Sequence, residues 1–577
     1  MIDVRRGGKL LSKSVCRAVC SILALLSYLI VTPVYSLDNA IDALKKDFLK
    51  GYKLTQSGNS SEAARSLAKI RDLKAAMRDY ILFYLGKSFH EEKKCPDAKA
   101  VFQELMENYP ESRWASVAET QASSDEECPP LALPSVEVPA VDCESMQDKE
   151  DRADCYFNSR QYRRAKDLYK DLCASPSIRC LTHLSQAAAR SQDFETAIAA
   201  NESFIKHYPR SKVSEEARRK IAFLLEDSGN FKAALTALGD LVSHSRAKEE
   251  RRQYRERIAW CHFRLGRFKE AEKSFDAALD EAETPFSLYW KGRVLEKLGR
   301  SKESNEVYRN LAAQYGGNYY GLRALERLGS SEGKPLADLP HFHPGFDWLK
   351  SSESLEPSPD LERIHELTAI GLISDAAIEA RRYRLKEGIR LPSDPRRLLK
   401  DKNGAFVFEQ KTPKDESADY PLPYADTLFD QVEQSKPHPI DPYLVYAMMR
   451  QESRYKESIV SPVGAIGLLQ IMPATGRKLA LEDGWPDYQP KWLYDPATNI
   501  ELGVQYIQNL WGLLDGHWYA VVASYNAGEQ VVAEWLKQRK GLSEEEFIEE
   551  IPYKETRDYV KRVYSYWRAY RSAYEVN

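Results

Sequence analysis

The sequence predicts a mainly α-helical chain in two parts, with stacked helical hairpins in its first half and a separate domain at its C-terminal end. Three observations carry that expectation. A short motif recurs between residues 60 and 310 at a spacing near 34. No segment sustains the alternation of apolar and polar residues that a large sheet requires. After residue 420, capped helices with apolar stripes follow one another, in a stretch that holds no cysteine. At 577 residues the chain has room for several domains.

The first 36 residues read as a secretory leader. Arg5, Arg6, Lys9, Lys13 and Arg17 precede an apolar run from Ala18 to about Val31, and Val34-Tyr35-Ser36 supplies a cleavage site before Leu37. A retained anchor is the competing reading, but the run is short for a span of roughly 20 residues, so no stable membrane span is expected. Two of the nine cysteines, Cys16 and Cys20, leave with the leader. The other seven are Cys95, Cys128, Cys143, Cys155, Cys173, Cys180 and Cys261. They lack the short paired spacing and clustered histidines of a metal site, so disulfides are expected in an oxidising compartment. Cys173 with Cys180 is the pair suggested by proximity, and at least one thiol stays unpaired.

Residues 37–330 are expected to form the hairpin array. Gly229-Asn230-Phe231-Lys232-Ala233-Ala234, Gly266-Arg267-Phe268-Lys269-Glu270-Ala271 and Gly299-Arg300-Ser301-Lys302-Glu303-Ser304 repeat one another, with looser copies at Gln192–Ala197 and Arg160–Ala165. Ala64 and Ala98 take the small-residue place further upstream. A period near 34 with a small residue where two helices cross is the pattern of tetratricopeptide-like hairpins. Such hairpins bury their apolar faces only by stacking into a superhelical solenoid. The array is expected to close near Tyr315–Leu322. A helical linker domain over 331–419 follows: a loop from about Ser330 to Pro359, a hairpin over 360–386 turning at Gly371, and an irregular connector to Tyr420.

Net charge is −3, with 83 Lys and Arg interleaved among 86 Asp and Glu. No global field therefore attracts nucleic acid or an anionic membrane, and no nucleic-acid partner is expected. Aromatic residues make up 11%, including 33 tyrosines, which suits either packed helices or a sugar-binding cleft.

The domain over 420–577 holds the candidate chemistry. In Ile440–Glu452, Asp441 suits the N-cap, Pro442 the first helical position, and Ile440 a staple against Val445. Val445, Met448, Met449 and Glu452 then share a face. A carboxylate on an apolar face is partly desolvated, which raises its pKa and favours the protonated form that a general acid needs. The alternative is a surface glutamate at a fraying helix end. Nine residues on, Ser461-Pro-Val-Gly464-Ala-Ile-Gly467-Leu-Leu-Gln470-Ile-Met472-Pro473 places two glycines three apart in a loop fit to pass close to a ligand. Asp495 caps a helix whose Ile500, Val504, Ile507, Trp511 and Leu514 are core. A third helix ends at Ser524-Tyr525-Asn526-Ala527-Gly528, where the phenol and amide suit sugar hydroxyls and N-acetyl groups as well as simple packing. In the last helix Tyr559, Val563, Trp567 and Tyr570 are spaced as core.

These segments together resemble the soluble lytic transglycosylases of bacterial cell walls. The resemblance rests on Glu452-Ser453, the Ser461–Gln470 loop, Met472-Pro473, Tyr525-Asn526-Ala-Gly528 and Glu555-Thr-Arg557-Asp-Tyr-Val560. Tyr319-Tyr320-Gly321, the 360–386 hairpin and Tyr420-Pro-Leu-Pro-Tyr424 match less specifically. It implies a lysozyme-like α+β catalytic domain at 420–577 and, by a leader-directed route, a periplasmic location. It further implies that Glu452 is a single catalytic acid/base acting on peptidoglycan glycan strands without metal or cofactor. Glu452 would protonate the bridge between N-acetylmuramic acid and N-acetylglucosamine, then deprotonate the muramoyl C6 hydroxyl to give a 1,6-anhydro sugar. Ser461, Gln470, Met472, Tyr525 and Asn526 would line the cleft, Ser461 and Tyr525 nearest the reacting groups. Glu555 matches a position close to the cleft, although an ion pair with Arg557 or Lys554 explains it equally well. Ordinary glycosidases pair two carboxylates, and no second one shares a motif with Glu452; Glu457 lies in a solvent-like stretch. Leu469 stands where the family often has Met, and Ser524 where Ala is common. A hydrolytic muramidase and a non-catalytic wall-binding scaffold are the alternatives. The solenoid would thread glycan strands, restrict access to chain ends, or recruit cell-wall synthesis and remodelling proteins.

Overall fold

The computed structural model describes residues 41–122, 143–329 and 348–574, apart from 43, 160, 390, 393, 415–416, 435–439 and 486–487. The leader expected over 1–36 and the Pro-containing stretch around 129–139 lie outside the described residues.

The repeat is built from a spacing that the motif itself does not display. The small residue of each copy opens the second helix of a hairpin: Ala64, Ala98, Ala165, Ala197, Ala234, Ala271 and Ser304 are all buried. Gly229, Gly266 and Gly299 turn the chain at φ of +77°, +69° and +74°. A second pairing runs across each hairpin. A small residue on the first helix faces a large one sixteen positions later on the second. A Cβ on Gly51, Gly86 or Gly292 would fall 2.5, 2.7 and 2.4 Å from the side chains of Leu67, Phe102 and Tyr308. Ala153 and Tyr169, Ala222 and Leu238, and Ala259 and Phe275 repeat the same spacing and are likewise buried. The helices therefore approach closely because one side always lacks bulk where the other supplies it.

Disulfides join Cys173 to Cys180, the pair expected from proximity, and Cys143 to Cys155. Cys261 is a free, buried thiol.

The segment after the solenoid departs from expectation. The hairpin consists of Pro359–Ala369 and Ile373–Glu387, with Gly371 at φ +86°. Part of the expected loop and part of the expected irregular connector are strands, however. They are β1 (Trp348–Leu355), β2 (Leu399–Lys400) and β3 (Phe406–Pro413), forming an antiparallel sheet in the order β1-β3-β2. The linker expected as loop, helical hairpin and irregular connector thus contains a small sheet beside its hairpin. Only Phe406 and Phe408 alternate inward on β3, too short a run to register as period two. Pairing between Trp348 and Pro413 and between Leu355 and Phe406 supplies the rest.

Both ends of the solenoid bear on the C-terminal half. The first hairpins share one apolar core with the 359–387 hairpin and with Phe406 and Phe408. Glu366 there accepts hydrogen bonds from the backbone N–H groups of Ala76 (3.0 Å) and Met77 (2.8 Å). The Arg381 guanidinium stacks 3.2 Å over Trp485 and donates to Glu501 at 2.6 Å, joining that hairpin to the C-terminal domain. At the other end, Tyr289 and Arg327 donate to Glu545 at 2.8 and 2.6 Å, and Arg293 pairs with the same carboxylate. The chain thus closes on itself.

The sixteen-residue pairing makes a direct stability prediction. Gly292→Ala pushes a methyl into the Tyr308 ring and should destabilise by about 1–3 kcal/mol. Gly239→Ala, in the helix Phe231–His244 with nothing within 4 Å, should stabilise by up to about 1 kcal/mol. Thermal melts should move in opposite directions for the two variants.

Candidate active site

The helix Pro442–Glu452 begins as its sequence indicates, with the Asp441 carboxylate accepting from the N–H of Tyr443 at 2.8 Å. Its expected one-sided stripe is broader in the structure. Every residue from Pro442 to Met449 is buried, so this helix runs through the centre of the domain. It stops abruptly after Glu452. The Ser453 hydroxyl donates to the Met449 carbonyl and accepts from the N–H of Tyr455, while Arg454 and Tyr455 take φ of +51° and +65°. Two consecutive left-handed residues cannot continue a helix. Glu452 is thereby left at the helix's C-terminal end, half-buried, where the negative end of the helix dipole further disfavours a carboxylate.

Burial pushes the Glu452 carboxyl up to about 7 from its ordinary 4.5. A hydrogen bond from the Tyr559 hydroxyl to Oε1, 2.6 Å long, acts in the opposite direction, and the charge of Glu555 adds to the rise. The Tyr559 and Tyr525 hydroxyls are themselves held well above the usual tyrosine range by burial and then by the Glu452 charge. They act as hydrogen-bond donors and keep their protons.

The glycine loop is folded by one amide. Asn499, fully buried, donates to the carbonyls of Ile466 (3.0 Å) and Leu493 (2.8 Å) and accepts from the N–H of Leu469 (2.8 Å). Gly467, at φ +81°, passes so close that a Cβ would lie 2.3 Å from the Asn499 Nδ2 and 2.5 Å from the Leu493 carbonyl oxygen. The β component of this domain consists, among the described residues, of the bridges Val460–Ile466 and Ile466–Ile471 within the loop. The Tyr525 hydroxyl donates to the Leu469 carbonyl at 2.7 Å, connecting the third helix to the loop.

The expected site residues fall into three groups. Glu452 lies within reach of the charge of Glu555 and Tyr525 within reach of the charge of Glu452, and Glu555 is exposed. Ser461 and Gln470 use their polar atoms within the loop. Ser461 Oγ accepts from the N–H of Ala465 at 2.9 Å, and the Gln470 amide donates to the carbonyls of Ile459 and Gly467. Asn526 Oδ1 accepts from the Thr556 hydroxyl at 2.6 Å, and the Met472 side chain is exposed. Tyr559, Asn499 and Thr556 were not singled out by sequence. Tyr559 sits in the core stripe as spacing indicates, and only its hydroxyl turns to Glu452. Asn499 is polar in a helix's first turn, where capping is the ordinary explanation.

Known proteins resemble both parts of the chain. Residues 431–548 match the family described as Transglycosylase SLT domain, and residues 80–112 and 220–287 match tetratricopeptide repeats. Over residues 431–548 the chain is thus similar to the transglycosylase SLT domain family. It is 30% identical over 290 residues to the soluble lytic murein transglycosylases of Salmonella typhimurium and Escherichia coli K12, covering 49% of this chain and 43% of each relative. The chain thus spans less than half the length of those relatives in alignment. Among solved structures, an inactive mutant of the lytic transglycosylase Slt from Pseudomonas aeruginosa is 18% identical, with TM-score 0.45 and coverage of 97% and 94% of the two chains. The 70-kDa soluble lytic transglycosylase in complex with bulgecin A is 20% identical, with TM-score 0.43 and coverage of 97% and 95%.

A raised carboxyl pKa also has a stability consequence. The folded state holds the Glu452 proton more tightly than the unfolded chain does. Its contribution is therefore fully present below about pH 4.5 and is lost as pH rises through about 7. Glu452→Gln should leave the thermal midpoint near that of the unaltered protein at pH 4. At pH 8 it should raise stability by about 1–3 kcal/mol.

Proposed function

We propose that the protein is a peptidoglycan lytic transglycosylase of the periplasm, cleaving the β-1,4 bond between N-acetylmuramic acid and N-acetylglucosamine without water. The observation that supports this most is the state of Glu452: a half-buried carboxyl with a pKa near neutrality, one oxygen held by Tyr559 and the other left for substrate. A group near its own pKa serves equally as acid and as base. In the first step Glu452 gives its proton to the bridging oxygen as the bond to the muramoyl C1 breaks. In the second, the Glu452 carboxylate takes the proton of the muramoyl C6 hydroxyl, whose oxygen closes on C1. The proton returns to Glu452, no water is consumed, and the product carries a 1,6-anhydro ring.

The surrounding groups fit this sequence. Tyr559 steadies the carboxylate formed between the steps, and Tyr525 holds the loop that forms one wall. Asn526 keeps an amide for the acetamido groups, Met472 offers an exposed apolar contact, and Ser461 and Gln470 shape the loop. Peptidoglycan strands are the proposed substrate, and the tetratricopeptide-like hairpins are the proposed surface for strands or wall-synthesis proteins. Glu555 supports a second reading. An exposed carboxylate within electrostatic reach of Glu452 could hold a water, which is the hydrolytic muramidase arrangement.

Mass spectrometry of fragments released from purified peptidoglycan separates the readings. Anhydro ends, one water lighter than reducing ends, are expected; reducing ends would make the protein a hydrolase. Glu452→Gln should lower release about 10²–10⁴-fold, and release at the unaltered rate would leave only a binding scaffold. The first step needs the acid form, so the rate should fall as pH rises above about 7. Glu555→Gln removes a charge that raises the Glu452 pKa, so it should move that alkaline limb to lower pH.

A further inference from the structure

Among the contacts between the solenoid and the C-terminal domain, one buried carboxylate gathers donors from both sides. Glu549 is 1% exposed and takes donors from three helices. Trp290 Nε1 (3.3 Å) and the Tyr320 hydroxyl (2.7 Å) come from the solenoid, and Lys561 Nζ (2.8 Å) comes from the final helix, Lys554–Tyr574. Lys561 also donates to the Tyr320 oxygen at 2.7 Å, closing a triangle of two side chains and one carboxylate. From the same helix, the Arg557 guanidinium donates to the carbonyls of Glu549 and Ile551 at 3.1 and 3.2 Å, which fixes the turn entering the helix. Tyr559, which holds Glu452, lies two residues from each of these anchors.

We propose that Tyr320 is a positioning residue for catalysis: through Glu549 and Lys561, the solenoid sets the place of the helix that presents Tyr559 to Glu452. The inference rests on Glu452 being the acid/base proposed above. Its physical basis is the intolerance of a buried carboxylate for a missing donor. Once one is withdrawn, Lys561 and Glu549 must rearrange to satisfy the charge, and Lys561 moves with the Tyr559 helix. A displacement on the order of 1 Å at a reacting group is enough to lower a rate by about 10²-fold. The neighbouring seam at Glu545 differs. Its donors Tyr289, Arg293 and Arg327 all belong to the solenoid, so it docks the two halves without touching the final helix.

The test uses the full chain on soluble glycan strands, with Tyr320→Phe set against Tyr289→Phe. Each variant removes one hydroxyl from a buried interface carboxylate. Tyr320→Phe should lower kcat roughly tenfold with KM nearly unchanged. It should also move the alkaline limb of the kcat profile upward, because a loosened Tyr559 no longer holds the Glu452 pKa down. Tyr289→Phe should change neither. Lys561→Met should reproduce the Tyr320→Phe profile, and Lys561→Arg should restore most of it. Unaltered kcat and pH limb in Tyr320→Phe, or equal effects from Tyr289→Phe, would overturn the proposal while Glu452→Gln stays inactive. Full activity in Glu452→Gln would instead remove the parent reading.

Discussion

The desolvation of one carboxylate organises the C-terminal domain. Glu452 ends a helix that is buried on every side, faces the unfavourable end of that helix's dipole, and has a single phenol to steady it. Burial and the dipole raise the free energy of its charged form and the phenol offsets only part of that, so it must be held by parts that cannot relax around it. The left-handed pair Arg454-Tyr455 stops the helix at that residue, and Asn499 staples the loop opposite. The final helix brings Tyr559 across more than a hundred residues of sequence. Remove the rigidity of any one and water or a counter-charge can reach the carboxylate, returning it to an ordinary surface glutamate.

The two kinds of interface in the molecule are built differently. Within the hairpin array, shape decides: a missing side chain on one helix receives a large one from the next. Between the array and the rest, directional polar contacts at Glu366, Glu545 and Glu549 are added to shared apolar packing. Buried ion pairs are weak as glue, because their desolvation offsets much of their attraction, yet they fix geometry because their directions are specific. Apolar packing would allow several nearly equal docking angles. A carboxylate ringed by three donors allows one.

Much of this was legible in the sequence, and the limits have physical causes. The hairpins could be read because their small residues recur in phase, and Glu452 because a carboxylate interrupts an apolar run. The strands escaped notice because β1 is polar through its middle and owes its form to a partner more than fifty residues away. Tyr559 was placed correctly in the core, but spacing locates a side chain's face and says nothing about where a hydroxyl at its tip will point. Asn499 was masked by the commonness of polar residues in a first turn. Gln470 and Ser461 have their hydrogen-bonding atoms committed to their own loop, a distinction invisible without coordinates.

The closure of the chain on itself carries a consequence for how such an array can vary. An open solenoid gains or loses a hairpin at its free end with little effect on the rest. Here the first hairpins are tied to the 359–387 pair and the last to Glu545 and Glu549, so the path between those ties must always sum to the same displacement. Adding one repeat, or changing the pitch of a single turn, would leave a gap at one seam or a collision at the other. Hairpin number and hairpin angle are therefore not independent traits in this molecule, and a substitution within the array, such as one at Ala153, is registered at a junction far from it.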